Sequence, residues 1–405
     1  MNDIIKKPRI RFKGFTEAWE QRKFEYWFEE RNERSGEGEL ISVTIHSGIK
    51  KFSELNRFDS KPEDMSKYKV VRVGDIAYNS MRMWQGSSGL SPYNGILSPA
   101  YTVISPKNIT NSKFFAFLIK KPEMIHLFEI NSQGLTKDTW NLKFPAFSQI
   151  EAIAPTTTDE QHKIATLLEQ LDNLITLHQC KYDKLISIKK SLLEKMFPAT
   201  GENTPKIRFK GFTEAWEQRE LGKIGSTYTG LSGKSKADFG HGKGKFITYM
   251  NVFTNPIANL GAVEPIEIDD KQNTVLVGDV FFTTSSETPD EVGMSCVLTE
   301  NSPNTYLNSF CFGYRPTVKF DNYYLAYMFR SALFREKITF LAQGISRYNI
   351  SKNKVMEIEI PVPDFNEQQK IGIYFRNIDN LITLHQRKLE KLKNIKKSLL
   401  EKMFV

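Results

Sequence analysis

The sequence predicts two mixed α/β domains, α+β in their grouping of strands and helices, carried on a frame of two long coiled-coil-like helices. Three observations predict this fold class. A fifteen-residue passage occurs twice: Pro8–Arg22 reads PRIRFKGFTEAWEQR and Pro205–Arg219 reads PKIRFKGFTEAWEQR, differing only at Arg9/Lys206. A longer passage also recurs, EQHKI…DNLITLHQ…IKKSLLEKMF over Glu160–Phe197 and EQQKI…DNLITLHQ…IKKSLLEKMF over Glu367–Phe404. The stretches between, roughly 23–158 and 220–365, have almost nothing in common. A duplicated frame holding two unlike inserts implies one scaffold that presents two different surfaces.

The opening segment, 1–22, contains the first short repeat and no apolar region with a cleavage site, so no export signal is expected. The first insert, 23–158, carries β-type runs at Lys69–Ile76 (KVVRVGDI) and Ala100–Ile104, and a helical stretch near Lys113–Ile130. The first long helix is expected over 159–197. Its apolar positions, including Leu168, Leu171, Ile175, Leu185 and Leu192, advance in steps of three and four. Pro198 and the linker 198–219, which holds the second short repeat, stop it. The second insert, 220–365, repeats the plan with Thr274–Phe282 (TVLVGDVFF), Phe310–Tyr314 and a helical stretch near Asn322–Leu341. The second long helix, 366–405, carries Ile378, Leu392 and Leu399 on its stripe.

About 38 residues at 1.5 Å each make a rod of roughly 57 Å. A lone helix would expose its stripe, so the two copies most simply pack together. His178 and His385 sit at equivalent seam positions and read as polar register residues rather than a metal pair. The lysine clusters Lys189, Lys190, Lys195 and Lys393, Lys396, Lys397, Lys402 read as a solvated face. Two echoes survive between the inserts: Val73-Gly74-Asp75 with Val277-Gly278-Asp279, a tight turn, and Gln133-Gly134-Leu135-Thr136-Lys137 with Gln343-Gly344-Ile345-Ser346-Arg347.

Composition narrows the function. The chain has 405 residues with 40% hydrophobic and 25% charged, ordinary for a globular protein. No apolar run reaches membrane-span length, so no membrane association is expected. Three scattered cysteines, Cys180, Cys296 and Cys311, suit a reducing cytoplasm. The net charge of +9 favours an anionic partner, and nucleic acid is the leading one.

Catalytic motifs are not found. Gly233-Lys234-Ser235 lacks the glycine a P-loop needs, since Tyr228 stands there. Gly240-His-Gly-Lys-Gly-Lys reads as a mobile basic loop. No Cys/His grouping has zinc spacing. Asp364, Glu367 and Lys370 abut a helix start, where acidic residues serve as caps. No catalytic or metal site is therefore expected.

The inserts do hold the side chains that read bases: Arg and Lys for guanine, Asn and Gln for adenine, with Ser, Thr and apolar groups between them. In the first insert the candidate DNA contacts are His46, Lys50, Ser80, Arg82, Trp84, Gln85, Lys137 and Thr139. In the second they are Lys234, Lys236, Tyr249, Asn251, Ser285, Ser286, Arg347, Tyr348 and Asn349.

The doubled FKGFTEAWEQR, the Gly-Asp turn, the Gln-Gly segment and the doubled EQ-x-KI…DNLI…KKSLLEKMF together resemble the specificity subunit of type I restriction-modification systems. The resemblance covers the whole chain. It implies two target-recognition domains joined by two antiparallel helices in a pseudo-two-fold internal repeat. Each domain would read one half of a split site in double-stranded DNA, with the helices setting the spacer and docking two modification subunits. Unlike inserts imply an asymmetric site. The resemblance also implies no chemistry and no cofactor in this chain. S-adenosylmethionine would serve the modification subunits, and ATP with Mg the restriction subunits. The rival readings are a stand-alone DNA methyltransferase or nuclease, and a coiled-coil scaffold that binds only proteins.

Overall fold

The computed structural model describes residues 7–45, 48–55 and 64–405. It forms two compact units, Met1–His178 with Lys388–Val405, and Gln179–Arg387. Each unit holds one short repeat, one insert and a part of both long helices, which run over Thr158–Lys195 and Phe365–Lys402.

In the first unit, strands Phe28–Glu30, Tyr101–Pro106, Ile76–Asn79 and Ser88–Leu90 form an antiparallel sheet in that order. Alternate residues of a strand face opposite sides, and here both sides are covered. Ile76, Tyr78 and Ile104 belong to an aromatic core with Trp19, Phe24, Phe114, Phe115 and Phe147. Ala77 and Val103 pack with Ile41, Val43 and Ile49, from the hairpin Ile41–Thr44/Gly48–Lys51.

The second unit has a four-stranded sheet of the same order, built from Gly225–Thr229, Cys311–Pro316, Val280–Thr283 and Ser295–Val297. In place of the hairpin stands the strand Phe239–Ile247, flanked by Val263–Ile266 and Thr305–Leu307, with the helix Tyr249–Thr254 following it. The glycine-rich basic run is thus a strand and not a mobile loop. Gly242, at φ +99° and close against Ile266, permits the irregularity that lets Lys245–Ile247 join the sheet. Of the TVLVGDVFF run only Val280–Phe282 is strand, within Val280–Thr283; Val275 is buried in the core, and its amide donates to the Thr305 carbonyl.

The expected helical stretches each divide in two. Ser112–Leu118 and Pro122–Ile130 part where Pro122 starts a new first turn. Asn322–Met328 and Ala332–Phe340 part at Ser331, whose hydroxyl accepts from the Phe334 amide.

The Gly-Asp echo is a turn closed by a buried carboxylate. Gly74 and Gly278 take φ of +93° and +91°. Asp75 accepts from the Arg72 amide at 2.8 Å, and Asp279 from the Leu276 amide at 2.8 Å. Each is neutralised by a two-pronged arginine, but from different places: Arg31 follows the first strand, while Arg315 lies on its neighbour. Tyr228 also donates to Asp279, and burial with that carboxylate raises its phenol far above the ordinary range.

The frame repeats its contacts within each unit. Arg11 grips Glu160 at 2.6 and 2.8 Å, and Arg208 grips Glu367 at 2.7 and 2.8 Å. The Ile10 amide donates to the Lys402 carbonyl, and the Ile207 amide to the Lys195 carbonyl. The short repeat therefore fastens the start of one long helix to the end of the other. In the first unit Asp172 pairs with Lys396 while Leu168 shares a core with Leu399 and Phe404, so the helical segments run antiparallel. In the second unit Asp379 pairs with Lys189 and Phe375 stacks near Phe197, giving the same sense. Lys189 and Lys396 are hence not part of a solvated face. Each also lies over an aromatic ring, Tyr327 and Phe117 respectively.

Of the seam positions, Leu171 and Ile378 are buried, while His178, Leu185, Leu192, His385, Leu392 and Leu399 are half-buried. Gly372 marks a close approach: a Cβ there would meet the Tyr324 amide nitrogen at 2.8 Å and the Asp321 carboxylate at 2.5 Å. Gly372→Ala is therefore expected to destabilise the second unit by about 1–3 kcal/mol through overpacking. Urea unfolding followed by tyrosine fluorescence checks it, and an unchanged midpoint contradicts it.

Candidate nucleic-acid interface

In both units the loop after the central strand is stitched to the Gln-Gly loop by backbone bonds. In the first, the Leu142 amide donates to the Ser80 carbonyl, and Gln133 and Asn141 exchange two bonds across the neck of the Gln-Gly loop. In the second, Ser285–Ser286 pairs with Tyr348–Asn349, the Ile350 amide donates to the Thr284 carbonyl, and Gln343 and Asn349 close the neck. Both necks need glycine. A Cβ on Gly134 would lie 2.7 Å from the Thr139 carbonyl oxygen, and one on Gly344 2.0 Å from that of Arg347. Two segments far apart in sequence thus form one surface.

On the first unit's surface, Trp84 and Trp140 meet edge to face with ring centres 5.6 Å apart. The Lys137 ammonium lies 5.5 and 5.4 Å from those two rings, a cation held by both π-faces. The Trp84 indole N–H donates to the Met81 carbonyl, and Lys137 also reaches Glu129 at 3.5 Å. Thr139 is exposed, its hydroxyl spent within the loop on Thr136. Gln85 is exposed and Arg82 half-exposed. Ser80 is buried, its hydroxyl bonded to that of Thr102. Lys50 lies on the hairpin, loosely paired with Glu54 at 4.0 Å. His46 lies outside the described residues.

The second unit's surface surrounds a hollow of about 300 Å³ lined by Tyr249, Met250, Phe253, Ser286, Glu287, Glu291, Phe310 and Arg347. The Tyr249 hydroxyl donates to the Ser285 carbonyl at 2.7 Å, tying the helix Tyr249–Thr254 to the paired loops. Burial raises that phenol above its ordinary range. Arg347 and Asn349 are exposed and Tyr348 half-buried. Ser285 and Ser286 are largely buried.

Three candidates are placed elsewhere. Asn251 is buried, its amide bonded to the Asn259 and Ala262 carbonyls and to the Asn259 amide, so it holds the loop 255–262 in shape. Lys234 is paired with Asp269 at 2.7 Å, which holds that carboxyl down at about 2. Lys236 is exposed at the start of a single helical turn beside it.

Sequence reading missed four exposed apolar side chains beside these loops. They are Ile130 and Phe340, which end equivalent helices, and Leu135 and Ile345, which occupy equivalent places just after the glycine. The Gln-Gly echo contained the signal, but an aliphatic residue ordinarily reads as core. Among the described residues no group of His, Cys, Asp and Glu could hold a metal ion, and no helix is long and apolar enough to cross a membrane.

Two domains of one sheet order, each presenting a stitched loop pair with different side chains on a basic chain, define a two-surface recognition protein. The model of the family described as "Type I restriction modification DNA specificity domain" matches residues 66–186 and 213–394. The chain belongs to that family: it is a specificity subunit of a type I restriction-modification system, with two target-recognition domains. It is 23% identical over 367 residues to the type I restriction enzyme MjaVIII specificity subunit of Methanocaldococcus jannaschii, covering 82% of this chain and 78% of that one. Its fold is similar to the type I system S subunit from M. genitalium (TM-score 0.55, 16% identity, 98% and 99% of the chains covered). A chain from a solved structure of the type I R-M system is similar too (TM-score 0.50, 16% identity, 95% and 97% covered). The family's task is DNA recognition, not catalysis, so the enzyme and pure-scaffold readings fall away.

Proposed function

We propose that the stitched loop pair on each unit is the surface that meets DNA, and that each unit reads one half of a bipartite, asymmetric site. The observation that carries this reading is the pairing itself: the same backbone device recurs in both units while its side chains differ. Arg82 and Gln85 are the base readers of the first domain, with Lys137 on its two tryptophans facing phosphate and Thr139 bracing the loop from within. Arg347, Tyr348 and Asn349 fill the corresponding roles in the second, above the largely buried Ser286. Ser80, Ser285 and Asn251 shape the loops from beneath, and Lys50, Lys234 and Lys236 contribute general attraction to the polyanion.

The recognition domains extend over about 23–158 and 220–365. The long helices set the unread spacer and dock two modification subunits, and Leu174, Leu177, Leu381 and Leu384, exposed at equivalent places, suit that docking. S-adenosylmethionine belongs to those partners, and ATP with Mg to the restriction subunits that join them, in the cytoplasm.

Arg82→Ala and Arg347→Ala test the assignment in the complex with modification subunits. Each is expected to cost about 1–3 kcal/mol of discrimination at one position of one half-site, as loss of a bidentate base contact does. Competition binding with single-base variants measures it. A loss spread evenly over all duplexes would mark the arginine as a phosphate contact instead.

A further inference from the structure

We propose that Leu135 and Ile345 are apolar wedges that press into the DNA minor groove, one in each half-site, and deform it without reading a letter. This rests on the reading of the stitched loops as the DNA-facing surface. Leu135 is 102% exposed and Ile345 96%, each standing just after the positive-φ glycine of a loop whose neck is closed by backbone bonds. An isolated exposed aliphatic needs no explanation. These two occupy the same structural place in inserts whose sequences otherwise have almost nothing in common. Each is accompanied by a second exposed apolar residue at the same helix end, Ile130 at 61% and Phe340 at 89%.

Residues common to two domains that read different letters serve a purpose common to both half-sites. The nearby cations fix what that purpose is. Lys137 and Arg347 lie two residues further along each loop, Lys137 steadied by its tryptophans and Arg347 exposed, so a polyanion is the partner the charge favours. An aliphatic tip beside such a cation has the composition of minor-groove wedges, which partly unstack a base step and bend the duplex. Preorganisation is built in, since the glycine necks and their bonds hold the tips out before DNA arrives. Unstacking also lowers the cost of extruding a neighbouring base, which methylation within a duplex requires.

The test uses the full chain assembled with its modification subunits and a duplex carrying 2-aminopurine at successive steps of each half-site. Leu135→Ser is expected to weaken binding about tenfold or more, the equivalent of one lost leucine burial. It should do so equally for single-base variants of the site. It should abolish the 2-aminopurine signal in the first domain's half-site alone, and Leu135→Met should retain both properties. Ile345→Ser should act likewise on the other half. Because both side chains are exposed, unchanged thermal unfolding is expected to accompany these losses. Unaltered affinity and fluorescence would overturn the proposal, as would a selective change of preferred letter or a failure of modification subunits to join. A wild-type complex with no site preference would sink the DNA-reading assignment itself, a separate outcome.

Discussion

Replacing residues 220–365 by the corresponding segment of another family member is expected to give a chain that recognises a site with one half changed and the other intact. The expectation follows from where the differences lie. Residues fastening the frame, Arg11 with Glu160 and Arg208 with Glu367, come from repeated text and lie outside the exchanged segment. What the segment must supply to the frame is an aromatic plug. Tyr324 and Tyr327 fill this role against Phe197, Trp216 and Phe375, as Phe114 does against Trp19 and Phe404 in the first unit. A donor segment with aromatic residues there keeps the frame closed and carries its own loops with it. Selection of bound duplexes from a randomised pool, with modification subunits present, reads the outcome. New letters in both halves would contradict independent reading.

Glu367→Ala is expected to destabilise the second unit by about 3–5 kcal/mol, the usual result of removing one partner of a buried ion pair. The Glu367 side chain is 1% exposed and that of Arg208 15%, so water has little access to the cation left behind. The Trp216 indole, 3.2 Å from the same carboxylate, loses its acceptor as well. Glu160→Ala in the first unit removes the matching grip on Arg11, but the Trp19 indole nitrogen already has no hydrogen-bond partner among the described residues. The second-unit substitution should therefore cost more, by about one hydrogen bond or roughly 1 kcal/mol. Chemical denaturation of both variants checks the order. Equal or reversed losses would contradict it.

The frame was legible because duplication and helical periodicity are properties of the text itself. Steps of three and four from Leu168 to Met196 need no partner to be recognised. Glu160 and Glu367 were less legible. Glu367, near a helix start, reads as a cap, and nothing local reveals that an arginine 149 or 159 residues away arrives to bury Glu160 or Glu367. The strand Phe239–Ile247 was missed because its glycines leave no alternation of side chains to detect, and its partners Val263–Ile266 and Thr305–Leu307 come later in the chain.

At the candidate interface, the vocabulary was visible but not its grouping. Lys137, Trp84 and Trp140 come together only because Ser80 and Leu142 share a backbone bond. Asn251 looked like an adenine reader by type, yet its amide is consumed by its own loop. Residue type proposes a contact; burial decides which candidates face outward.

Two unlike domains on one frame are expected to read two unlike half-sites. A genome-wide map of methylated adenines, in a strain where this chain is the sole specificity subunit, measures this. One motif made of two different short halves separated by a gap of fixed length is expected. A palindromic or undivided motif, or methylation without sequence preference, would contradict it.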